Sequence, residues 1–142
     1  SGASVPSSGA SVPSSGPQAP PHPATCEVEI FGQIRVPPSI KARGHLVVHV
    51  SNEDCTKPGA VMLGSAPAVD GHIAIEVFPR WGSDITICGA LEEAPDRPVR
   101  FYGKAAGRFH AEAPGEVIFR DVVVELKKGP PLRLPVVYNP PQ

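Results

Sequence analysis

No stretch of the sequence comes near the roughly 20 consecutive apolar residues that a helix needs to cross a bilayer. The chain also lacks an excess of charge: its 142 residues carry a formal net charge of −1, and the longest basic run is Lys127-Lys128. Since no basic patch is available to hold phosphates, we expect no nucleic-acid partner. No window shows the 3.6-residue apolar period of an amphipathic helix, so the sequence gives no sign of long helices.

The residue patterns of common catalytic sites are absent as well. Leu63-Gly64-Ser65 lacks the strand-to-helix elbow that exposes a nucleophilic serine. Glu92 and Glu93 are adjacent, so on a strand their carboxylates point to opposite faces and cannot flank one bond. We therefore expect a protein that is not an enzyme and has no catalytic residues.

Residue spacings that are typical of metal sites are also missing from the sequence. There is no Cys-x-x-Cys or His-x-His, and His45 and His49 would lie about 13 Å apart along one face of a strand. His72 and His110 come from other segments and could join one of these two, which leaves a small periplasmic metal-binding protein as a less favoured alternative. The acidic residues in predicted turns do not have EF-hand spacing. We therefore expect no metal ion and no cofactor.

What the sequence has instead is an alternation of apolar and polar residues. The clearest case is residues 72–93, where two alternating runs flank Pro79-Arg80-Trp81-Gly82-Ser83. This pattern predicts two half-buried strands joined by a short loop. The predicted apolar faces carry Ile73, Ile75 and Val77 in the first strand and Ile85, Ile87 and Leu91 in the second.

The same alternation predicts further short strands at residues 26–36, 45–51, 60–69, 99–103, 107–113, 117–126 and 132–138. We expect 60–69 to be an edge strand with a loop, 117–126 to contain a bulge near Arg120-Asp121, and 132–138 to be a last edge strand or an arm. Because 60–69 is the weaker pattern and 132–138 is either a strand or an arm, we expect about seven to eight strands. Without a helix, these predict an all-β fold, an Ig-like antiparallel β-sandwich over residues 25–142. An open Greek-key barrel is the second choice, and a mixed α+β domain the third.

Residues 1–24 form a different kind of segment, rich in serine, glycine and proline. Ser1-Gly-Ala-Ser-Val-Pro-Ser7 repeats at residues 8–14, and no charged residue occurs before Glu27. With so little to bury, this linker is expected to be disordered or polyproline-like. It resembles the spacer that follows the lipidated cysteine of bacterial lipoproteins, which would place a lipid anchor upstream of Ser1 as the chain's one route to a membrane. An ordinary linker or a cloning remnant is the alternative.

The three cysteines leave one over after a single disulfide. Cys55 lies in the turn-like segment 52–59, and Cys88 points away from the apolar row of its strand, so we predict a Cys55–Cys88 disulfide. Closing that loop is worth roughly 3.5–4 kcal/mol. Cys26 lies on the apolar face of its strand and is expected to be the odd, buried thiol. Three reduced cysteines in a cytosolic protein are the alternative.

Two segments resemble the carboxypeptidase-regulatory-like, or transthyretin-like, sandwich family. In Asp70-Gly71-His72-Ile73-Ala74-Ile75-Glu76-Val77 an Asp-Gly turn leads into an alternating strand, and in Gly82-Ser83-Asp84-Ile85-Thr86-Ile87 a glycine turn leads into the next. Residues 107–117 show the same order of glycine turns and alternating apolar and polar residues, and Gly32-Gln33-Ile34 is similar to the family's opening strand. The small-residue opening of the second strand is missing, and the Cys55 loop is extra. The resemblance implies a prealbumin-like accessory, adhesive or assembly module of an exported protein, without catalysis.

The candidate binding site is the loop Phe78-Pro79-Arg80-Trp81. Trp81 is the chain's single tryptophan, and a loop tryptophan beside an arginine is typical of anchors that bind a protein or stack on a sugar. Tyr102 is expected to face outwards with Arg100 and Lys104, and would extend this surface if the strands bring it near. The alternative is that Trp81 folds back over the end of the sandwich.

Together these patterns predict a non-enzymatic, envelope-tethered β-sandwich that binds a protein or glycan partner. We expect it to be exported, to the bacterial periplasm or to the outer-membrane or cell surface. The alternative is a structural module of a cell-surface or periplasmic assembly that has no ligand of its own and makes its contacts through edge strands. The sequence does not indicate an oligomeric state.

Overall fold

The computed structural model describes residues 25–111 and 115–134. The predicted linker 1–24 and residues 135–138 of the predicted last strand lie outside the described residues. The described residues form nine strands: β1 Cys26–Arg35, β2 His45–Ser51, β3 Met62–Pro67, β4 His72–Val77, β5 Asp84–Glu92, β6 Val99–Lys104, β7 Phe109–His110, β8 Gly115–Glu125 and β9 Lys127–Leu132. Within the described ranges the helical structure is a single 3-10 turn, Val69–Gly71. No described helix is long and apolar enough to cross a membrane.

The strands form two sheets, which confirms the predicted all-β fold. The smaller sheet has the order β4-β1-β8, and the larger has the order β3-β2-β5-β6-β9, with β7 pairing the start of β5. One pairing differs from the expected antiparallel arrangement, because β1 and β8 run parallel, from Cys26 beside Gly115 to Arg35 beside Glu125. Sequence alternation is the same in both directions, so it does not indicate strand direction.

The core lies between the two sheets and uses the faces that the alternation predicts. Val28 and Ile30 of β1 and Val48 and Val50 of β2 are fully buried. Five of the six predicted core residues of β4 and β5 also have almost no exposed surface, and the sixth, Ile75, is half-buried. Burying such aliphatic side chains stabilises a fold by about 1.5–3 kcal/mol each.

The two strands of residues 72–93 belong to different sheets. β4 pairs with β1 in the smaller sheet, whereas β5 pairs with β2 and β6 in the larger one. The connection 78–83 therefore crosses from one sheet to the other at one end of the sandwich. This crossing brings Phe78, Arg80 and Trp81 to an end of the fold.

A bulge in β8 lies where the sequence predicts it. Ile30 of β1 is opposite Phe119 and Gly32 is opposite Val122, so Arg120 and Asp121 together face a single residue of β1. Asp121 has a positive φ of 58°, as residues in bulges often do.

Three strand boundaries differ from the predicted ones. β3 is shorter than the alternating segment 60–69, and β9 begins at Lys127 rather than at residue 132. β7 covers Phe109–His110 of the segment 107–113, whose residues 112–113 lie outside the described residues. β9 contains Pro130 and Pro131, which the sequence alone argues against because proline cannot donate a ladder hydrogen bond. β9 is an edge strand, where prolines are tolerated, and with it the described part of the chain has nine strands rather than seven or eight.

The predicted disulfide is present. Cys55 in the connection between β2 and β3 is bonded to Cys88 on the outer face of β5, with a Cα–Cα distance of 6.8 Å. Cys26 is 1% exposed on the inner face of β1, as predicted, and is not part of the disulfide. Burial raises the pKa of the Cys26 thiol, which keeps it in the less reactive protonated form.

Candidate functional site

Hydrogen bonds fix the backbone of the loop 78–83 against both sheets. On the side of the smaller sheet, Pro79 O accepts a hydrogen bond of 2.8 Å from Cys26 N, and Arg80 forms a bridge with Thr25. On the other side, Gly82 N donates to Ala111 O. Such a loop does not have to lose much backbone freedom when it binds.

A tight turn inside the loop completes this framework. Ser83 N donates to Arg80 O over 3.2 Å, and the Ser83 hydroxyl donates to the same carbonyl oxygen. Between them Gly82 has a φ of 85°, a left-handed conformation that glycine adopts without strain. The sequence signal for this turn is Gly82-Ser83, directly after Trp81.

The large side chains of the loop remain open to solvent. Phe78 is 57% exposed and Trp81 is 46% exposed, while Pro79 between them is buried and anchors the loop. Arg80 is exposed as well. About half of the Trp81 side chain therefore contacts the protein, and the other half faces outwards, so Trp81 does not fold back completely over the end of the sandwich.

Tyr102 lies apart from this loop. It is half-buried on β6, and its hydroxyl donates a hydrogen bond of 2.9 Å to Pro130 O of β9. Its neighbour on β5 is Ala90, six positions beyond Asp84, which is about 20 Å along a strand. The strands therefore do not bring Tyr102 near the loop, which was the condition for extending the binding surface to it. Alternation gives the face of a residue but not its distance from a loop.

Three carboxylates lie beside the loop on the outer face of the smaller sheet. Glu27 and Glu29 of β1 and Glu76 of β4 have carboxylate oxygens within 4.8 Å of one another. The hydrogen bond that Glu27 makes with Glu76, and then the charge of Glu76, raise the pKa of Glu27. Carboxylates this close favour a shared proton or a cation, although exposed acidic groups of this kind are common without a bound ion. Sequence alternation places Glu27 and Glu29 on one face, but Glu76 joins them only through strand pairing.

A second charged group supports the loop from the larger sheet. Asp84, at the start of β5, lies 2.5 Å from His110 Nδ1 and accepts a hydrogen bond of 3.0 Å from Arg108 Nε. These two contacts, that of His110 first, lower the pKa of Asp84. The group ties β7 to the residue that follows the loop, which indicates a structural role for it.

Comparison with known proteins finds no matching family model, no matching curated protein and no matching solved structure. The relationship to the transthyretin-like family therefore stays a prediction from the motifs of the chain. The geometry of the loop and of the surfaces around it is the basis for a functional proposal.

Proposed function

We propose that this protein is a non-enzymatic, exported recognition module that binds a protein or glycan partner through Phe78, Arg80 and Trp81. The observation that carries the proposal is the 46% exposure of the single tryptophan in a loop whose backbone is fixed by hydrogen bonds. Tryptophan and arginine dominate the energetics of binding surfaces, and a fixed backbone lowers the entropic cost of association.

The chemistry of the loop suits both kinds of partner. The exposed rings of Phe78 and Trp81 offer apolar faces, which stack on a sugar ring or bury an apolar side chain. Arg80 adds hydrogen-bond donors, and the carboxylates of Glu27 and Glu76 beside the loop add acceptors. A polar rim around apolar anchors is the usual composition of a binding surface.

The disulfide supports export. Disulfides such as Cys55–Cys88 persist in oxidising compartments and are rare in the cytosol. We place the protein in a bacterial envelope, in the periplasm or at the cell surface. Residues 1–24 would then serve as a tether to a lipid anchor upstream, which would be the module's contact with a membrane.

The alternative, a structural module that joins an assembly through its edge strands, is less well supported. β9 carries Pro130 and Pro131 together with Lys127 and Lys128, and prolines and lysines both discourage strand addition at an edge. The other edges of the described sheets are β3, β4 and β8, and the bulge of β8 at residues 120–121 interrupts its regular pairing.

A Trp81→Ala substitution tests the proposal. Isothermal titration with polysaccharide released from the native envelope, and separately with its soluble proteins, should show a binding free energy that is weaker by about 1–3 kcal/mol in the variant. The variant should stay folded, because backbone hydrogen bonds from Cys26, Gly82 and Ser83 hold the loop in place.

Val69→Ala is the matched control, since Val69 is 67% exposed and lies before β4, at the opposite end of that strand. Binding should be unchanged in this variant. Equal losses in both variants would sink the proposal, as would a Trp81→Ala protein that loses binding only because it unfolds.

A further inference from the structure

A cavity lies on the outer face of the larger sheet, apart from the loop 78–83. It has a volume of about 410 Å³, and it is lined by His49 and Ser65 from neighbouring strands and by the apolar side chains of Val99, Leu132 and Leu134. This volume lies in the range of small-molecule binding sites, which usually combine apolar walls with a few polar groups.

One ring nitrogen of His49 has no hydrogen-bond partner among the described residues. The residue is 7% exposed, and its Nδ1 lies 2.7 Å from Ser65 Oγ. Nε2 is buried and makes no hydrogen bond within residues 25–111 and 115–134. Buried side-chain nitrogens are nearly always hydrogen-bonded. Histidine at a surface position of a strand would normally satisfy both nitrogens with water, so its burial here requires a different partner.

The hydrogen bond to Ser65 defines what that partner must offer. If His49 Nδ1–H donates to the Ser65 hydroxyl, Nε2 accepts; if the hydroxyl donates to Nδ1, Nε2–H donates. A hydroxyl group fits both cases because it donates and accepts. Burial also lowers the pKa of His49 to about 4, so the imidazole is neutral at pH 7 and is matched best by an uncharged group.

The charged residues around the cavity do not favour a ligand of either charge. Glu92 and Asp96 contribute carboxylates, while Arg97 and Arg133 contribute guanidinium groups. Arg133 is already engaged, since its Nη1 donates to Asp96 O over 3.2 Å. An apolar body with one hydroxyl is therefore the ligand chemistry that the lining matches.

We propose that this cavity binds a compact, uncharged molecule with one hydroxyl group, which hydrogen-bonds to His49 Nε2 while its apolar body packs against Val99, Leu132 and Leu134. The site is independent of the loop 78–83, so its test and that of the proposed function can succeed or fail separately.

Phenol is the probe, and toluene, which has nearly the same shape without the hydroxyl, is the matched control. Long-range 1H–15N spectra of the full-length protein at pH 7 report on each imidazole nitrogen. Phenol should shift His49 Nε2 in a saturable way and leave the exposed His45 unchanged. It should also bind about fivefold or more tightly than toluene, as one net hydrogen bond predicts.

A His49→Phe variant keeps a ring of similar size but removes the nitrogen, so phenol and toluene should bind it equally; His45→Phe should keep the preference for phenol. Should His49→Phe not fold, the wild-type spectra decide the question alone. The proposal is overturned if phenol causes no saturable shift of His49 or binds no better than toluene. Nuclear Overhauser contacts between His49 and residues 135–142 without phenol would also overturn it, because the described chain reaches the cavity at Leu134 and its own continuation would then be the occupant.

Discussion

At the scale of the residue, His49 shows how burial couples one side chain to the stability of the whole fold. Its pKa is lowered by burial to about 4 in the folded state, while the ordinary value that it has in the unfolded chain is 6.5. Between these two values the unfolded state binds more protons than the folded state. The contribution of neutral His49 is therefore fully present above pH 6.5 and is lost as the pH falls towards 4.

We expect this residue to lower the free energy of unfolding by about 2–3 kcal/mol between pH 7 and pH 4.5. Urea unfolding of the wild-type protein and of His49→Gln at both pH values measures it, and the variant should lack this part of the pH dependence. His45→Gln, exposed on the same strand, should behave like the wild type. The charged neighbours Glu92, Asp96, Arg97 and Arg133 are common to all three proteins, so an identical pH dependence in His49→Gln would contradict the assignment.

At the scale of the element, the pairing of β1 with β8 depends on a close backbone approach at Gly32. A Cβ atom at this position would lie 1.9 Å from Val122 O, a backbone atom that cannot rotate away. The bulge at Arg120 and Asp121 aims this carbonyl at β1. Small-to-large changes in tight packing cost about 1–3 kcal/mol, and more where backbone must move.

Gly32→Ala should therefore lower the free energy of unfolding by about 3 kcal/mol or more, as measured by urea unfolding at pH 7. Gly59→Ala is the control, because the nearest atom to its added Cβ is Glu53 Oε1 at 3.4 Å, the end of a flexible side chain. It should change stability by less than about 0.5 kcal/mol. Equal stability of Gly32→Ala and wild type would show that β1 and β8 do not approach in this way.

The positions of the strands and their inner and outer faces could be predicted from the sequence, but the pairing of one strand with another could not. Alternation predicted the inner faces of β4 and β5, the outward direction of Cys88 and the bulge near Arg120-Asp121, because each of these features depends on local periodicity. The trio of Glu27, Glu29 and Glu76, the cavity at His49 and the separation of Tyr102 from the loop depend on which strands pair and in which register. The last strand was predicted at residues 132–138 rather than at Lys127–Leu132 for another reason. The prolines of β9 are acceptable only in an edge strand, and the sequence does not identify which strands are edges.

At the scale of the whole molecule, the fold combines a cross-linked larger sheet with the exposed loop 78–83, which lies beside the start of the domain. The disulfide closes a loop of 33 residues. This cross-link is worth roughly 3.5–4 kcal/mol in the chain-entropy model. Thr25, where the predicted linker ends, forms a bridge with Arg80 of the loop. A module tethered through residues 1–24 would then present the loop on the side of its anchor, within about 27 Å if the linker is a flexible coil.

Native mass spectrometry of the wild-type protein and of Trp81→Ala, each isolated from its own envelope, tests the central claim most directly. The wild type should retain the added mass of a glycan or of a partner chain, and Trp81→Ala should lose most of it. Both should be two hydrogen atoms lighter than the reduced chain, in agreement with the Cys55–Cys88 disulfide. A wild-type protein that carries no added mass, or a variant that carries the same mass as the wild type, would contradict recognition through the loop.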